Sequence, residues 1–344
     1  MPTSTVGSTE VTLTAAQMHN AIFQQLAIAA SKNEPICLGV ISGVKGSSPQ
    51  KVGAKAVFYS DGRIAGTLGG GCLEAEIQQR AIQSLRTGQA AQFDLLLDHD
   101  FGWDDGLICG GKVFGLILPN AQKAGQQFWE ELSERKNPVQ WGVTTNFSII
   151  RVPPVESNIA DGFLSTSAWL YRETVAPPCA LWIAGAGHIA QAVAPLAQQL
   201  DFAVTVLDDR PALVNRSYFP EEIALRADSW ENLFKLSLPQ APSFGLIVTR
   251  GHRHDALILK EWIRKPFLFL GMIGSSRKAR IIFEYFRQER IANQQDLERV
   301  VCPVGIKIKS QTVPEISVSI MAQFIDKRAE LVYEKNGTAL GSES

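Results

Sequence analysis

A cysteine directly after three glycines is the feature of this sequence with the clearest chemical meaning. Residues 66–74 read GTLGGGCLE, in which Cys72 follows Gly69, Gly70 and Gly71. Glycine adopts backbone angles closed to other residues and lets a ligand approach the main chain. A cysteine in the first turn of a helix lies beside unpaired N–H groups, which favour the thiolate. The pattern indicates a reactive or ligand-binding sulfur, and a small buried cysteine in a tight turn is the alternative.

A second glycine-rich loop opens the C-terminal half of the chain. The apolar run 180–184 precedes GAGHIA, which matches GxGxxA, and a helical pattern follows. In this context Gly185 is predicted to form the turn and Gly187 to admit a pyrophosphate. His188 is predicted to make hydrogen bonds at the start of the helix.

The strand predicted at 203–207 ends in two acidic residues. Asp208 and Asp209 lie about 20 residues after the first glycine, where a dinucleotide-binding fold places the carboxylate that binds ribose hydroxyls. Arg210 is compatible with a 2′-phosphate, but the two preceding acids favour a free ribose.

Two later strands are predicted to end at the same edge of the sheet. His252 follows one of them in TRGHRHD, and Ser275 and Arg277 follow the other in GMIGSSRK. A serine cap, a helix start and basic side chains are typical of an anion site. A metal site at His252, His254 and Asp255 is the less favoured alternative, because HxHxD lacks further ligands at a diagnostic spacing.

The elements that position these motifs indicate two domains in 344 residues. Residues 11–152 mix helices with hairpins, which predicts an α+β domain, and Asp61-Gly62 predicts a type I′ turn. Residues 153–178 are bounded by proline pairs and are interpreted as a linker, with an edge hairpin of the first domain as the alternative. Residues 179–330 alternate strands and helices, which predicts an α/β fold: a Rossmann-like, doubly wound parallel sheet.

Composition excludes several classes of protein. The 33 basic and 34 acidic residues form no basic block, so we expect no nucleic-acid partner. Five scattered cysteines fit free thiols in a reducing, cytoplasmic setting, and no apolar run reaches membrane-spanning length. The motifs GxSxG, HExxH and GxxxxGK[ST] do not occur in the sequence.

Several blocks together resemble the XdhC/CoxI family, the accessory proteins that mature xanthine dehydrogenase and related molybdenum hydroxylases. The first half carries GVKGSSPQKVGAKAVFYSDGRIAGTLGGGCLE and GLICGGKVFGLILP. The second half carries LWIAGAGHIAQAVAPLA, VTVLDDR, TRGHRHD, GMIGSSRK and CPVGIKIKSQTVPEISVSIMAQFI. These blocks cover most of the chain and occur in the family's order.

The resemblance implies that the protein binds molybdenum cofactor and protects it while a cysteine desulfurase supplies the terminal sulfido ligand. It also implies delivery of the cofactor to the molybdenum hydroxylase apoenzyme, and a homodimer would help to shield such a cargo. Soft thiolates suit this metal. Cys109 stands with Gly110 in a separate glycine-rich turn of the first half, LICGG. We therefore expect Cys72 and Cys109 to lie near the metal or its labile sulfur.

Two other classes of function stay open from the sequence. An NAD(P)-dependent oxidoreductase would use the GAGHIA loop and Asp208, with His188 or His252 as candidate acid–base residues. A nucleotide-sensing interaction protein would use the Rossmann-like domain as a ligand gate. The family blocks favour the cofactor-binding chaperone, which is not an enzyme with turnover.

Overall fold

A computed structural model describes residues 15–46, 51–97, 111–152, 168–239 and 241–335. The chain divides into two compact units, Met1–Pro177 and Pro178–Ser344. Among the described residues, no helix is long and apolar enough to cross a membrane.

The first unit contains an antiparallel sheet with helices on both faces and a smaller second sheet. The five-stranded sheet has the order β3-β2-β1-β5-β4, and the three-stranded sheet has the order β7-β6-β8. The elements are α1 (Ala15–Lys32), β1 (Ile36–Lys45), β2 (Lys55–Tyr59), β3 (Ile64–Gly66), α2 (Gly71–Thr87), β4 (Ala91–Leu97), β5 (Gly111–Leu118), a 3-10 turn (Ala121–Ala124), α3 (Gln126–Glu134), β6 (Val139–Thr144), β7 (Ile149–Arg151) and β8 (Trp169–Val175).

Alternation along β1 explains why the sheet is covered on both faces. Ile36, Leu38 and Val40 belong to the core that contains α1 and α3, whereas Cys37 belongs to the core that contains α2. Successive strand residues point to opposite faces, so an almost continuously apolar strand must be buried on both sides. Helix α2, which covers one of these faces, begins shortly after the β2–β3 hairpin in the chain.

The β2–β3 hairpin differs from the predicted type I′ turn. The Tyr59 N–H donates to the Arg63 carbonyl at 3.0 Å, which leaves a loop of three residues, Ser60, Asp61 and Gly62. Of these three, Gly62 alone has a positive φ, of 91°. A type I′ turn requires a positive φ at both central residues, so the prediction is wrong, and the loop is the three-residue kind that ends in a left-handed glycine.

The segment predicted as a linker contains a strand of the first unit. β8 pairs antiparallel with β6, and the Trp141 and Tyr171 rings meet edge to face with centroids 5.5 Å apart. Trp169–Val175 is thus an edge strand of the first unit, but its partner β6 lies outside the segment for which an edge hairpin was the alternative, and the sequence analysis did not predict β6 or β7. Residues 153–167 lie outside the described part of the chain.

The second unit is a doubly wound parallel sheet, as predicted. Its order is β11-β10-β9-β12-β13-β14, and each neighbouring pair is parallel. The elements are β9 (Cys179–Ala184), α4 (His188–Gln199), β10 (Phe202–Asp208), β11 (Ala224–Ala227), α5 (Trp230–Leu233), β12 (Ser243–Ile247), α6 (His252–Trp262), β13 (Phe269–Met272), α7 (Ser276–Gln288), α8 (Gln294–Glu298), β14 (Val300–Val301) and α9 (Val313–Lys335).

The strand order identifies the edge at which a ligand would bind. Numbered within this sheet, the order is 3-2-1-4-5-6, the dinucleotide-binding arrangement, and the order reverses between β9 and β12. Helices α4 and α9 pack on one face and α6 and α7 on the other. Ligands of such sheets bind at the carboxyl ends of the strands beside this switch point.

Candidate functional site

The glycine turn of the first unit presents an open helix start. Gly69, Gly70 and Gly71 have φ values of 129°, 72° and 58°, in the region that disfavours side chains. Gly70 is the N-cap of α2, and among the described residues no side chain caps the helix there and none would lie within 4 Å of a Cβ at this position. The first N–H groups of α2 are therefore available to an anion or a polar ligand.

Cys72 is the second residue of α2, as the sequence predicted for a cysteine at a helix start. Its backbone lies in the first turn of the helix. Cys109 and Gly110 lie outside the described residues, so the expectation that Cys72 and Cys109 both lie near the metal or its labile sulfur stays a prediction. The described residues contain no cluster of three or more histidine, cysteine or acidic side chains arranged to hold a metal ion.

The glycine-rich loop after β9 has the geometry that its sequence predicts. Gly185 has a φ of 109°, and a Cβ there would lie 2.6 Å from the Val248 carbonyl oxygen. Gly187 is the N-cap of α4, with open space around it and no side-chain cap. His188 is the first residue of the helix. The structure thus leaves the start of α4 clear for a pyrophosphate.

Asp208 lies at the end of β10, but its carboxylate is bound by the protein itself. Its Oδ1 accepts from the Arg210 N–H at 2.9 Å and from Arg210 Nε at 2.8 Å. Its Oδ2 accepts from the Ala186 N–H and from Arg210 Nη2, both at 2.7 Å. Burial by itself raises the pKa of Asp208, but the hydrogen bonds from Arg210 and Ala186 outweigh burial and hold the pKa below its ordinary value.

Asp209, the second predicted acid, is paired with a residue that the sequence analysis did not single out. Arg250 Nη2 lies 3.3 Å from Asp209 Oδ2, and both side chains are partly exposed. Asp209 follows β10 and Arg250 follows β12, and β9 lies between these strands. The pair therefore links the ends of β10 and β12 across β9, the strand that leads into the glycine-rich loop.

The remaining predicted residues lie at two further helix starts on this edge. His252 is the first residue of α6, whose N-cap Gly251 provides no side-chain cap. Ser275 is the N-cap of α7 and accepts from the Lys278 N–H at 3.3 Å, while Arg277 is the second residue of that helix. Parallel β9, β12 and β13 therefore bring the starts of α4, α6 and α7 to one edge, as predicted.

A buried ion pair lies at the same edge, and it engages Asp255, one of the three residues of the alternative metal site. Asp255 is fully buried, and its Oδ1 accepts from Thr249 Oγ1 at 2.5 Å. Its Oδ2 pairs with Lys278 Nζ, which also donates to the Ile273 carbonyl at 3.2 Å. Asp255 and Lys278 each follow one of two adjacent strands, and this position in the sequence is the signal that could have predicted their pairing.

Two cysteines outside the predicted site, Cys37 and Cys302, have raised pKa values and are poor nucleophiles. Burial raises the pKa of Cys37 to about 12, although a backbone hydrogen bond at Leu118 lowers it in part. Burial raises the pKa of Cys302 to about 11, with Lys278 opposing the shift and Asp255 adding to it. Both residues are thiols at neutral pH.

Comparisons with known proteins agree with this architecture. The XdhC Rossmann domain profile matches residues 181–324, and the profile of the XdhC and CoxI family matches residues 29–98. A protein of Bacillus subtilis (strain 168), named as a probable xanthine dehydrogenase subunit, is 24% identical over 326 residues, which span 86% of this chain and 94% of that protein.

Two further similarities extend over most of the chain. The uncharacterized protein YqeB of Escherichia coli (strain K12) is 24% identical over 305 residues, or 88% of this chain, which spans 46% of YqeB. A crystal structure of a xanthine dehydrogenase from Bacillus halodurans has a TM-score of 0.73 at 23% identity and covers 90% of this chain and 96% of its own. The latter shows a shared fold. With a family profile matched in each unit, the chain belongs to the XdhC and CoxI family.

Proposed function

We propose that this protein is a cytoplasmic accessory factor for the maturation of a xanthine dehydrogenase-type molybdenum hydroxylase. It binds molybdenum cofactor as cargo, holds it while a cysteine desulfurase supplies the sulfido ligand, and delivers it to the apoenzyme. Family membership and the name of the Bacillus subtilis relative support the association with xanthine dehydrogenase.

The observation that carries the proposal is the open start of α2. Three glycines with positive φ precede Cys72, the second residue of a helix for which the described residues provide no side-chain cap. Within that part of the chain no atom lies within 4 Å of a Cβ built at Gly70, so main-chain N–H donors are open to a ligand, and Cys72 is proposed to add a sulfur donor. A purely structural turn does not require three consecutive glycines in this conformation.

The chemistry of the cargo fits these donors. Molybdenum cofactor combines an anionic pterin phosphate with soft sulfur ligands around the metal. Thiolates suit soft metal centres, and helix N-termini suit phosphates. Cys72 is proposed to lie near the metal or its labile sulfur, and Cys109 is proposed to act with it.

The second unit is proposed to bind phosphate or an attached nucleotide at the edge that carries Gly185, Gly187, Ser275 and Arg277. The uncapped start of α4 and the basic start of α7 support this assignment. Comparing retention of the cargo by Arg277→Ala and by the wild type tests the contribution of the second unit. Equal retention would count against it.

The test of the main proposal is retention of molybdenum and pterin under anaerobic conditions. The purified protein is mixed with molybdenum cofactor, and both components are measured in the protein fraction after gel filtration. Wild type is expected to retain about one equivalent, Cys72→Ser to lose most of it, and the matched thiol control Cys179→Ser to retain it. Full retention and full transfer to apoenzyme by a folded Cys72→Ser variant would refute the role of this sulfur.

The oxidoreductase alternative draws support from the strand order of the second unit. A change in nicotinamide absorbance with a carbonyl substrate would favour it over the accessory role. Retention of molybdenum and pterin without such turnover favours the accessory role.

A further inference from the structure

The Asp208 carboxylate, which the sequence predicts to bind ribose hydroxyls, already has its hydrogen-bond acceptor positions occupied. A carboxylate offers about four lone-pair positions, and Asp208 accepts four N–H groups from Arg210 and Ala186 at 2.7–2.9 Å. Recognition of NAD requires an acid at this position that accepts from the ribose hydroxyls. As the side chains stand, Asp208 has no acceptor left for a ribose diol.

The guanidinium of Arg210 is held in place by that carboxylate and reaches the surface. Its Nε and Nη2 are used on Asp208, and within the described residues its Nη1 has no hydrogen-bond partner. The Arg210 side chain is 30% exposed, whereas that of Asp208 is 1% exposed. A fixed, partly exposed guanidinium is a preformed ligand for a phosphate group.

A second guanidinium lies at the same edge of the sheet. Arg250 is 46% exposed and is held by Asp209 at 3.3 Å, a distance and exposure that make the pair weak. A phosphate dianion forms stronger charge-assisted hydrogen bonds than this contact and can take over Arg250. The two arginines approach from β10 and β12, on either side of the strand that ends in the glycine-rich loop.

We propose that this edge of the sheet binds an adenine dinucleotide whose ribose carries a 2′-phosphate, NADP⁺ or NADPH, in preference to NAD⁺. Arg210 is the specificity-determining residue, Arg250 is a second ligand of the phosphate, and the pyrophosphate lies at the start of α4 beside Gly187. The two acids in the sequence favoured a free ribose, but the structure reverses that preference because Arg210 and Arg250 already occupy them. The proposal goes beyond the cargo-binding function: it names a ligand for the edge of the second unit to which the proposed function assigns a phosphate or an attached nucleotide.

Calorimetric titration of the full chain, purified without molybdenum cofactor, tests the preference. NADP⁺, NAD⁺ and 2′,5′-ADP are compared, the last because it carries the 2′-phosphate without the nicotinamide. We expect NADP⁺ to bind about tenfold more tightly than NAD⁺, the effect of one charge-assisted hydrogen bond, and 2′,5′-ADP to bind as well.

Substitution of Arg210 should abolish the preference. Arg210→Ala removes the guanidinium and frees two of the four acceptor positions of Asp208, so NADP⁺ binding should weaken about tenfold while NAD⁺ binding is kept or strengthened. Arg210→Lys keeps the charge without the planar fork and should retain part of the preference, which provides a second variant if Arg210→Ala does not fold. The control Arg287→Ala removes a charge about 17 Å along α7 from its start and should leave the preference intact.

Three results would overturn the proposal. These are NAD⁺ binding as tightly as NADP⁺, no binding of any of the three nucleotides, and an equal effect of Arg287→Ala and Arg210→Ala. Retention of molybdenum and pterin is measured in a separate experiment, so failure here is distinguishable from failure of the cargo-binding function.

Discussion

The buried pair of Asp255 and Lys278 should respond very differently to removal of its cation and of its anion. The Asp255 side chain has no solvent exposure, whereas the Lys278 side chain is 24% exposed. Lys278→Met leaves a buried carboxylate whose remaining donors, among the described residues, are the N–H and hydroxyl of Thr249. Asp255→Asn leaves an ammonium that reaches water and still donates to the Ile273 carbonyl.

The expected magnitudes follow from these environments. Breaking a buried ion pair by removing one partner costs about 3–5 kcal/mol, and the two Thr249 donors place Lys278→Met near 3 kcal/mol. Asp255→Asn keeps an acceptor for Thr249 and leaves a partly hydrated cation, so its cost should be about 1–2 kcal/mol. In the double variant the two losses should not add, because they share one interaction.

Amide hydrogen exchange of the full chain measures these costs locally, since a two-unit protein need not unfold in one transition. Peptides from α6 and α7 should show the largest loss of protection in Lys278→Met, a smaller loss in Asp255→Asn, and peptides from α1 should be unchanged in both. A cost for Asp255→Asn equal to or above that of Lys278→Met would refute the argument from burial.

Three further predictions concern acid stability, thiol reactivity and the glycine-rich loop. Because the pKa of Asp208 is lowered in the folded state, its contribution to stability should be complete above its ordinary value of 3.8 and be lost as the pH falls below it. The difference in unfolding free energy between wild type and Asp208→Asn should therefore shrink on acidification, and a constant difference would contradict the assigned hydrogen bonds. At pH 8 iodoacetamide should alkylate Cys72 well before Cys302, whose pKa is raised to about 11, as followed by peptide mass spectrometry; equal rates would contradict this order. Gly185→Ala should destabilise the second unit by about 2 kcal/mol or more, because residue 185 has a positive φ and its new Cβ would lie 2.6 Å from a backbone carbonyl oxygen. Gly187→Ala should unfold like the wild type and lose only nucleotide affinity.

Local pattern was sufficient to predict much of this protein. The run from the apolar strand through GAGHIA to the next strand predicts the first half of a dinucleotide-binding fold, and β9, α4 and β10 have that arrangement. The glycines before Cys72 likewise predict a helix start, and α2 begins at Gly71. These features depend on residues only a few positions apart, whose backbone preferences and spacing are visible in the sequence.

Tertiary structure decided which partners the charged residues take. Asp208 and Asp209 look alike in the sequence, yet one is buried under Arg210 and the other pairs with Arg250, 41 positions away. Lys278 reaches Asp255 because α6 and α7 both begin at the edge formed by β12 and β13. Helix and strand formation is governed by near neighbours, whereas the pairing of side chains depends on which strands become adjacent, and that order is set only when the whole sheet assembles.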